Sequence, residues 1–221
     1  RITKKSFKRW KIFSKSAKKL FEKFDICLPS SVQSKKYLKL LGAKKIKSIG
    51  NLKFSQTELN NDFLSSKLKK KFLSKKIWCA ASTHETEENF CGLAHKKLKM
   101  KYKNLLTIII PRHINRTDNI IKEMEKLNLK VHTHSSKKKI DINTDIYLVD
   151  SYGITKSFFK ISKVVFLGGS IIKHGGQNPL EAARYGCKIL NGPNISNFYE
   201  IYDLLNKFNV SHEIKSLNKL I

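Results

Sequence analysis

From Ile77 onward the chain alternates short apolar runs with longer stretches of helical periodicity. Ile77–Ala81, Leu105–Ile110, Ile146–Val149 and Val164–Leu167 are apolar nearly throughout, with Lys130–His134 and Lys188–Leu190 as shorter companions. A strand with water on one face alternates polar and apolar residues; these do not. Continuous apolar strands alternating with helices predict a parallel sheet covered on both faces, an α/β architecture. In such sheets ligands bind beyond the carboxyl ends of the strands. Every chemically suggestive residue here follows such an end: Ser82, Thr83, His84 and Glu85, then Arg112-His113, Asp150-Ser151, and Gly168-Gly169-Ser170.

The densest stretch is VVFLGGSIIKHGGQNPLEAARYG, residues 164–186. It reads as a buried strand, a glycine turn, a second glycine pair at Gly175-Gly176, and a helix start. Asn178 suits the cap, Pro179 the first helical position and Glu181 the capping-box acid, with Gly186 as the stop. Glycines let a backbone approach a ligand, and a helix start offers N–H groups to an anion, so the pattern suits a phosphate site. Its spacing is neither a P-loop nor a dinucleotide fingerprint. Upstream, Ser82-Thr83-His84-Glu85 reads as a capping box, with Glu87 and Glu88 favourably placed near the positive end of the helix that follows.

Before Ile77 the pattern is weaker. Residues 4–23 interleave Lys and Arg with Phe7, Trp10, Ile12, Phe13, Leu20 and Phe21 at helical spacing. This predicts a packed helix with a solvated basic face, or alternatively a helix lying on an anionic membrane surface. Phe24–Pro29 reads as a strand, Ser30 or Ser31 as the cap of a helix through Leu41 that stops at Gly42, and Ile46–Ile49 as a second strand. Residues 55–76 are polar and lysine-rich, and read as a linker with a weak helix at a domain boundary.

The net charge is +28, from 45 Lys and Arg against 17 Asp and Glu. The lysines are spread along the chain and accompany abundant Asn and Ile, which reads as a general compositional bias more than a nucleic-acid footprint; acidic lipid or an anionic substrate suits the charge equally. Cys27, Cys79, Cys91 and Cys187 have no metal spacing and are expected to be buried free thiols in a reducing cytoplasm. His132 and His134 alternate on one strand without a carboxylate pattern, so no metal is expected. No Ser-His-Asp pattern emerges. No apolar run approaches a membrane span, and the start, at Arg1, has no signal-peptide character.

Several motifs in order resemble one family. AASTHETEE at 80–88, PRH at 111–113, DSYG at 150–153 and FLGGSIIKHGGQNPLEAARYG at 166–186 are similar to the bacterial 3-deoxy-D-manno-octulosonic acid (Kdo) transferases of lipopolysaccharide synthesis. KSFKRW at 5–10, FDICLPSS at 24–31, GNLKFS at 50–55 and NGPNISNFYEIY at 191–202 fit the same order.

The resemblance implies a GT-B type glycosyltransferase. Residues 1–56 would end the acceptor domain, 57–76 would link, and 77–221 would form a Rossmann-like domain binding the donor CMP-Kdo. It further implies that Arg112 and His113 hold the nucleotide phosphate and sugar, and that Gly168, Gly169, Ser170, Gly175, Gly176 and Asn178 wrap the donor. Glu181 would take the ribose hydroxyls, and Ser82, Thr83, His84 and Glu85 would line the cleft. Asp150 and Gly153 fall in the DSYGIT segment, where the family has a DxxGEL pattern, and LEAA stands where it often has LEPA. The acceptor would be a lipid A precursor, met at the cytoplasmic face of the inner membrane through peripheral contact. The transfer would be inverting and need no cofactor. Its general base would lie in an N-terminal part preceding this sequence, so no residue here is assigned to it. The alternatives are a GT-B enzyme with another nucleotide sugar, or a basic RNA-binding domain; the recognised RNA modules and stacking platforms are absent, and nucleic acid is not an expected partner.

Overall fold

A computed structural model describes residues 2–49 and 64–220. The chain divides into two compact units, Arg1–Asn60 and Asn61–Ile221. The GNLKFS motif at 50–55 lies outside the described residues.

Among its described residues the first unit packs three helices, α1 (Lys4–Ile12), α2 (Ser14–Phe21) and α3 (Val32–Leu40). The periodicity over 4–23 is one helix by spacing and two in space, because the backbone leaves helical geometry at Phe13 (φ −106°, ψ 48°). The break has a packing consequence. In a straight helix Trp10 and Phe21 would sit about 16 Å apart along the axis; here α1 folds back and their rings meet edge-on at 5.8 Å. Phe7 stacks flat on Tyr37 at 4.4 Å. Ser31 is the cap of α3, its side chain accepting the Ser34 N–H, and Gly42 follows the helix at φ +97°. The two expected flanking strands shrink to one parallel rung, Cys27 with Ile46. Ala17, Phe21, Cys27, Leu38, Leu41 and Ala43 form the small core.

The second unit is a seven-stranded sheet in which every pairing is parallel. Its strands are β1 (Lys76–Thr83), β2 (Leu105–Pro111), β3 (Val131–Thr133), β4 (Ile146–Leu148), β5 (Val164–Leu167), β6 (Lys188–Asn191) and β7 (Ser211–Glu213), in the spatial order β3-β4-β2-β1-β5-β6-β7. Successive residues of each central strand enter opposite cores. Cys79, Ala81, Ile108, Ile110, Val165 and Leu167 pack on one face. Trp78, Ala80, Ile109 and Phe166 pack on the other. Burial on both faces is why these strands read as continuous apolar runs, and each fully buried Ile or Leu contributes about 1.5–3 kcal/mol.

Helices cover both faces. α5 (Glu87–Lys101) and α6 (Thr117–Lys126) supply Cys91, Ala94, Ile120 and Met124 to one core. On the other side, α4 (Ser66–Leu73), within the stretch read as linker, drives Phe72 edge-on against Tyr147 at 4.9 Å. α7 (Thr155–Phe159), α8 (Leu180–Arg184) and α9 (Tyr199–Lys207) add Phe158, Ala182 and Tyr202 to that core, and α10 (Leu217–Leu220) ends the chain as described. All four cysteines are buried free thiols, as expected from the apolar runs around Cys27 and Cys79.

One polar network runs through the interior. His95 on α5, fully buried, meets Thr107 Oγ1 through Nδ1 at 2.8 Å and Asp145 Oδ1 through Nε2 at 3.3 Å. Asp145 also accepts from the Lys99 ammonium and from the Lys130 N–H at 2.9 Å. Burial holds the imidazole well below its ordinary pKa, at about 4.

Candidate functional site

The connection from β1 leads to β2 on one side, while β5 returns to the other side of β1. Such a reversal marks the place, here beyond the carboxyl ends of β1 and β5, where open parallel sheets form a ligand crevice. Strand order therefore brings Ser82, Thr83 and His84 beside Gly168, Gly169 and Ser170, residues more than eighty positions apart. The Gly168 N–H bonds Ala81 O at 2.9 Å, and the Arg112 N–H bonds Thr83 O at 2.9 Å, so the ends of β1, β2 and β5 form one rim.

Glu87 holds that rim together. It is 0% exposed. Its carboxylate accepts N–H bonds from His84 (3.0 Å), Gly169 (2.7 Å), Ser170 (3.1 Å) and Ile171 (3.0 Å). This replaces the capping box expected over Ser82-Thr83-His84-Glu85. The helix begins at Glu87 after Thr86, which makes no side-chain cap bond, and the first-turn acid reaches across to the neighbouring loop instead. Two non-glycine residues with positive φ, Ser82 at 55° and Thr86 at 77°, bracket the turn. Such conformations cost about 1–3 kcal/mol each and persist only where surrounding structure over-determines them; the four bonds to Glu87 do so. Gly168 is required by close approach, since a Cβ there would stand 2.4 Å from Ser82 O and 2.5 Å from Thr83 Cα.

The consequence is chemical. The backbone N–H groups of Gly169 and Ser170, which the glycine pattern suggests would cradle a phosphate, already satisfy an internal carboxylate. The side chains gathered beside the loop are the Arg112 guanidinium and the imidazoles of His84, His113 and His174. The His84 ring lies 4.4 Å from His174 and 5.9 Å from His113. Its Nε2 is 3.3 Å from Gln177 Nε2. Burial lowers the His84 pKa first and the neighbouring His174 next; Glu87 opposes them, and His113 and Arg112 add smaller lowering contributions. Arg112 and His113 are exposed at the end of β2, their side chains open to a ligand.

The second glycine pair closes the far side. The Gly176 N–H bonds Gly169 O at 2.7 Å, and the Asn197 N–H bonds Gly175 O at 2.9 Å. Ser170 is fully buried; its hydroxyl bonds Leu167 O and accepts the Gly192 N–H at 2.9 Å, a structural role. α8 starts one residue later than its cap signals indicate, with Pro179 as the flanking residue and Asn178 Oδ1 accepting the Leu180 N–H at 3.3 Å. Glu181 is partly exposed on its first turn, with no hydrogen-bond partner among the described residues. Glu85 is exposed and Thr83 buried. Asp150 and Gly153 follow β4, not β1 or β5. The Asp150 carboxylate is bonded to the Ser135 N–H at 2.9 Å and to its hydroxyl, and Gly153 sits in open space at φ +84°.

Sequence reasoning missed Glu87, His174 and Gln177 as site residues. His174 and Gln177 flank Gly175-Gly176 directly, which was a usable signal. Glu87 carried none, because an acid on a first turn is already accounted for by the helix dipole.

Comparison with known proteins agrees with the resemblance drawn from the motifs. The family described as 3-deoxy-D-manno-octulosonic-acid transferase (kdotransferase) matches residues 1–56. A 3-deoxy-D-manno-octulosonic acid transferase of Haemophilus influenzae is 34% identical over 186 residues, 81% of this chain and 43% of that protein. One from Rickettsia conorii is 35% identical over 91% of this chain and 43% of its own length. The chain thus spans about half the length of the curated relatives it matches or less. Among solved structures, the C-terminal CMP-Kdo binding domain of WaaA from Acinetobacter baumannii superposes with a TM-score of 0.64 at 29% identity, over 69% of this chain and 80% of that one.

Proposed function

We propose that this chain, related to the Kdo transferases over nearly its whole length, binds CMP-Kdo at the crevice between β1 and β5 and serves the transfer of Kdo to a lipid A precursor in lipopolysaccharide synthesis. The observation that carries the reading is the rim itself: the Arg112 guanidinium and the imidazoles of His113, His84 and His174 gather beside a loop whose own N–H groups are occupied by Glu87. A nucleoside monophosphate leaves as an anion, and positive groups fixed beside it stabilise the charge that develops on departure. Glu181, partly exposed at the start of α8, would accept from a ribose diol. The acceptor hydroxyl needs a base in an inverting transfer, and no residue of this chain is assigned to that step. In the first unit, Ile12 (77% exposed) and Phe13 (66% exposed) stand among Arg9, Lys11 and Lys15, a pairing of apolar and basic groups that supports peripheral contact with an anionic membrane face.

Calorimetric titration with CMP and with UDP tests the donor assignment. CMP binding that weakens about tenfold or more in both Arg112→Ala and Glu181→Ala, with folding unchanged, supports it. UDP bound as tightly as CMP, or no CMP bound by a folded chain, overturns it.

A further inference from the structure

At the opposite edge of the sheet, α4 and the turn after β3 enclose a groove of about 360 Å³. Its lysines are Lys67 and Lys71 from α4 and Lys137, Lys138 and Lys139 from the turn; its inner wall is Leu68, Ile140 and Tyr147, with His132 and His134 at the strand end. Among the described residues, no Asp or Glu lines it.

The groove is built, not a chance gathering of surface charge. Lys71 donates to Ile140 O, and Lys75 donates to Ile142 O at 2.6 Å, so two ammonium groups pin the segment 140–142 against α4. His132 lies nearly parallel to the Tyr147 ring at 5.7 Å, and His134 Nδ1 meets the Tyr147 hydroxyl at 2.8 Å. The inner wall is thereby fixed. Lys67, Lys137, Lys138 and Lys139 pair with no carboxylate among the described residues. The acids beside the groove bond elsewhere, Asp150 to Ser135 and Asp141 Oδ1 to the Asn143 N–H at 2.6 Å, and make no ion pair with these lysines among the described residues. Concentrating like charges in a concave site costs Coulomb energy that one multivalent anion would relieve.

We infer that this groove is a second anion site, which takes a phosphate-bearing ligand: the phosphate sits among Lys67 and Lys137–Lys139, and the body of the ligand packs toward the imidazoles of His132 and His134, which Tyr147 backs from the core. The site is separate from the crevice between β1 and β5. β4 and β2 lie between β3 and β1, a distance of about 14 Å at the usual spacing of strands. A convex basic patch suits a flat lipid surface; a groove with an aromatic wall suits a discrete phosphorylated group, whether free in solution or borne on a lipid.

The test is a titration of the full chain with inorganic pyrophosphate, followed by the imidazole resonances of His132 and His134. The expected result is a saturable shift of both, with affinity reduced about tenfold in Lys137→Ala/Lys138→Ala/Lys139→Ala and in Lys67→Ala. A charge-matched control, Lys4→Ala/Lys5→Ala/Lys8→Ala on α1, should change it less than twofold, and CMP should not compete. Unmoved histidine resonances, or equal weakening by the control, overturn the inference. Vesicles containing phosphatidic acid then identify the source. If they displace pyrophosphate, the phosphate belongs to a lipid headgroup; if pyrophosphate binds and such vesicles do not displace it, the ligand is soluble.

Discussion

The Glu87 carboxylate accepts the Gly169 N–H at 2.7 Å, joining the first turn of α5 to the loop after β5. Three further N–H groups, from His84, Ser170 and Ile171, converge on the same two oxygens. Removing them strands several buried donors at once, each worth about 1–3 kcal/mol. Glu87→Ala is therefore expected to destabilise the chain by roughly 3–5 kcal/mol. Glu87→Gln keeps one acceptor but turns an amide NH2 toward N–H donors, so it should also destabilise, by a smaller margin. Urea unfolding measures both; equal stability of wild type and Glu87→Ala would remove this carboxylate from its organising role.

His84 carries the second prediction. Its pKa is lowered by burial and then by the neighbouring His174, with Glu87 acting against them. An anion bound beside it acts in the opposite direction and raises it. The free chain should thus show a His84 resonance titrating below the ordinary imidazole value, moving up when CMP binds. Binding is linked to proton uptake, so CMP affinity should increase as pH falls toward the His84 titration and level off once the free protein is fully protonated. NMR titration with and without CMP reads this directly, and a His84 midpoint that stays fixed on saturation would place the nucleotide elsewhere.

Much of this arrangement was legible in the sequence. The sheet could be read because strands buried on both faces are apolar at every position, and strand ends then marked the rim without knowledge of strand order. The break at Phe13 could not be read, since Phe7, Trp10, Ala17 and Phe21 keep one helical face whether or not the helix folds back. The short strands Phe24–Pro29 and Ile46–Ile49 looked like a βαβ unit, yet only Cys27 and Ile46 pair; local apolar character does not say how many rungs form. Glu87 was hidden for a different reason. Three of its four partners lie more than eighty residues away, and a dipole-facing acid already had an adequate local explanation.

The interior pair His95–Asp145 predicts how stability depends on pH. The His95 pKa is depressed to about 4 in the folded chain from an ordinary value of 6.5. Between those two values the unfolded chain binds a proton that the folded chain refuses. Stability is therefore intact above about pH 6.5 and falls progressively toward pH 4, by up to about 3 kcal/mol from this group. A His95→Gln variant lacks the titration, so its stability curve should be flatter across that window, although lower at pH 7. Denaturant midpoints at half-unit pH steps would show the difference, and parallel curves for the two proteins would assign the acid sensitivity to other groups.

Two glycines near strand ends should respond differently to the same substitution. At Gly168 an added Cβ would meet Ser82 O at 2.4 Å, Thr83 Cα at 2.5 Å and Glu87 Oε2 at 2.7 Å. Two of those are backbone atoms and the third is held by four N–H bonds, so none can give way cheaply. Gly168→Ala must push the β5 loop off the end of β1, opening the rim that carries His84 and Gly169. It should destabilise by roughly 2–4 kcal/mol and abolish CMP binding. At Gly153 the Cβ would enter open space, and the only penalty is the positive φ of 84°, about 1–2 kcal/mol for an L-residue. Gly153→Ala should lose only that much stability and keep CMP affinity within a few fold. If both variants bind CMP like the wild type, the close contact of β1 with β5 does not shape the nucleotide site.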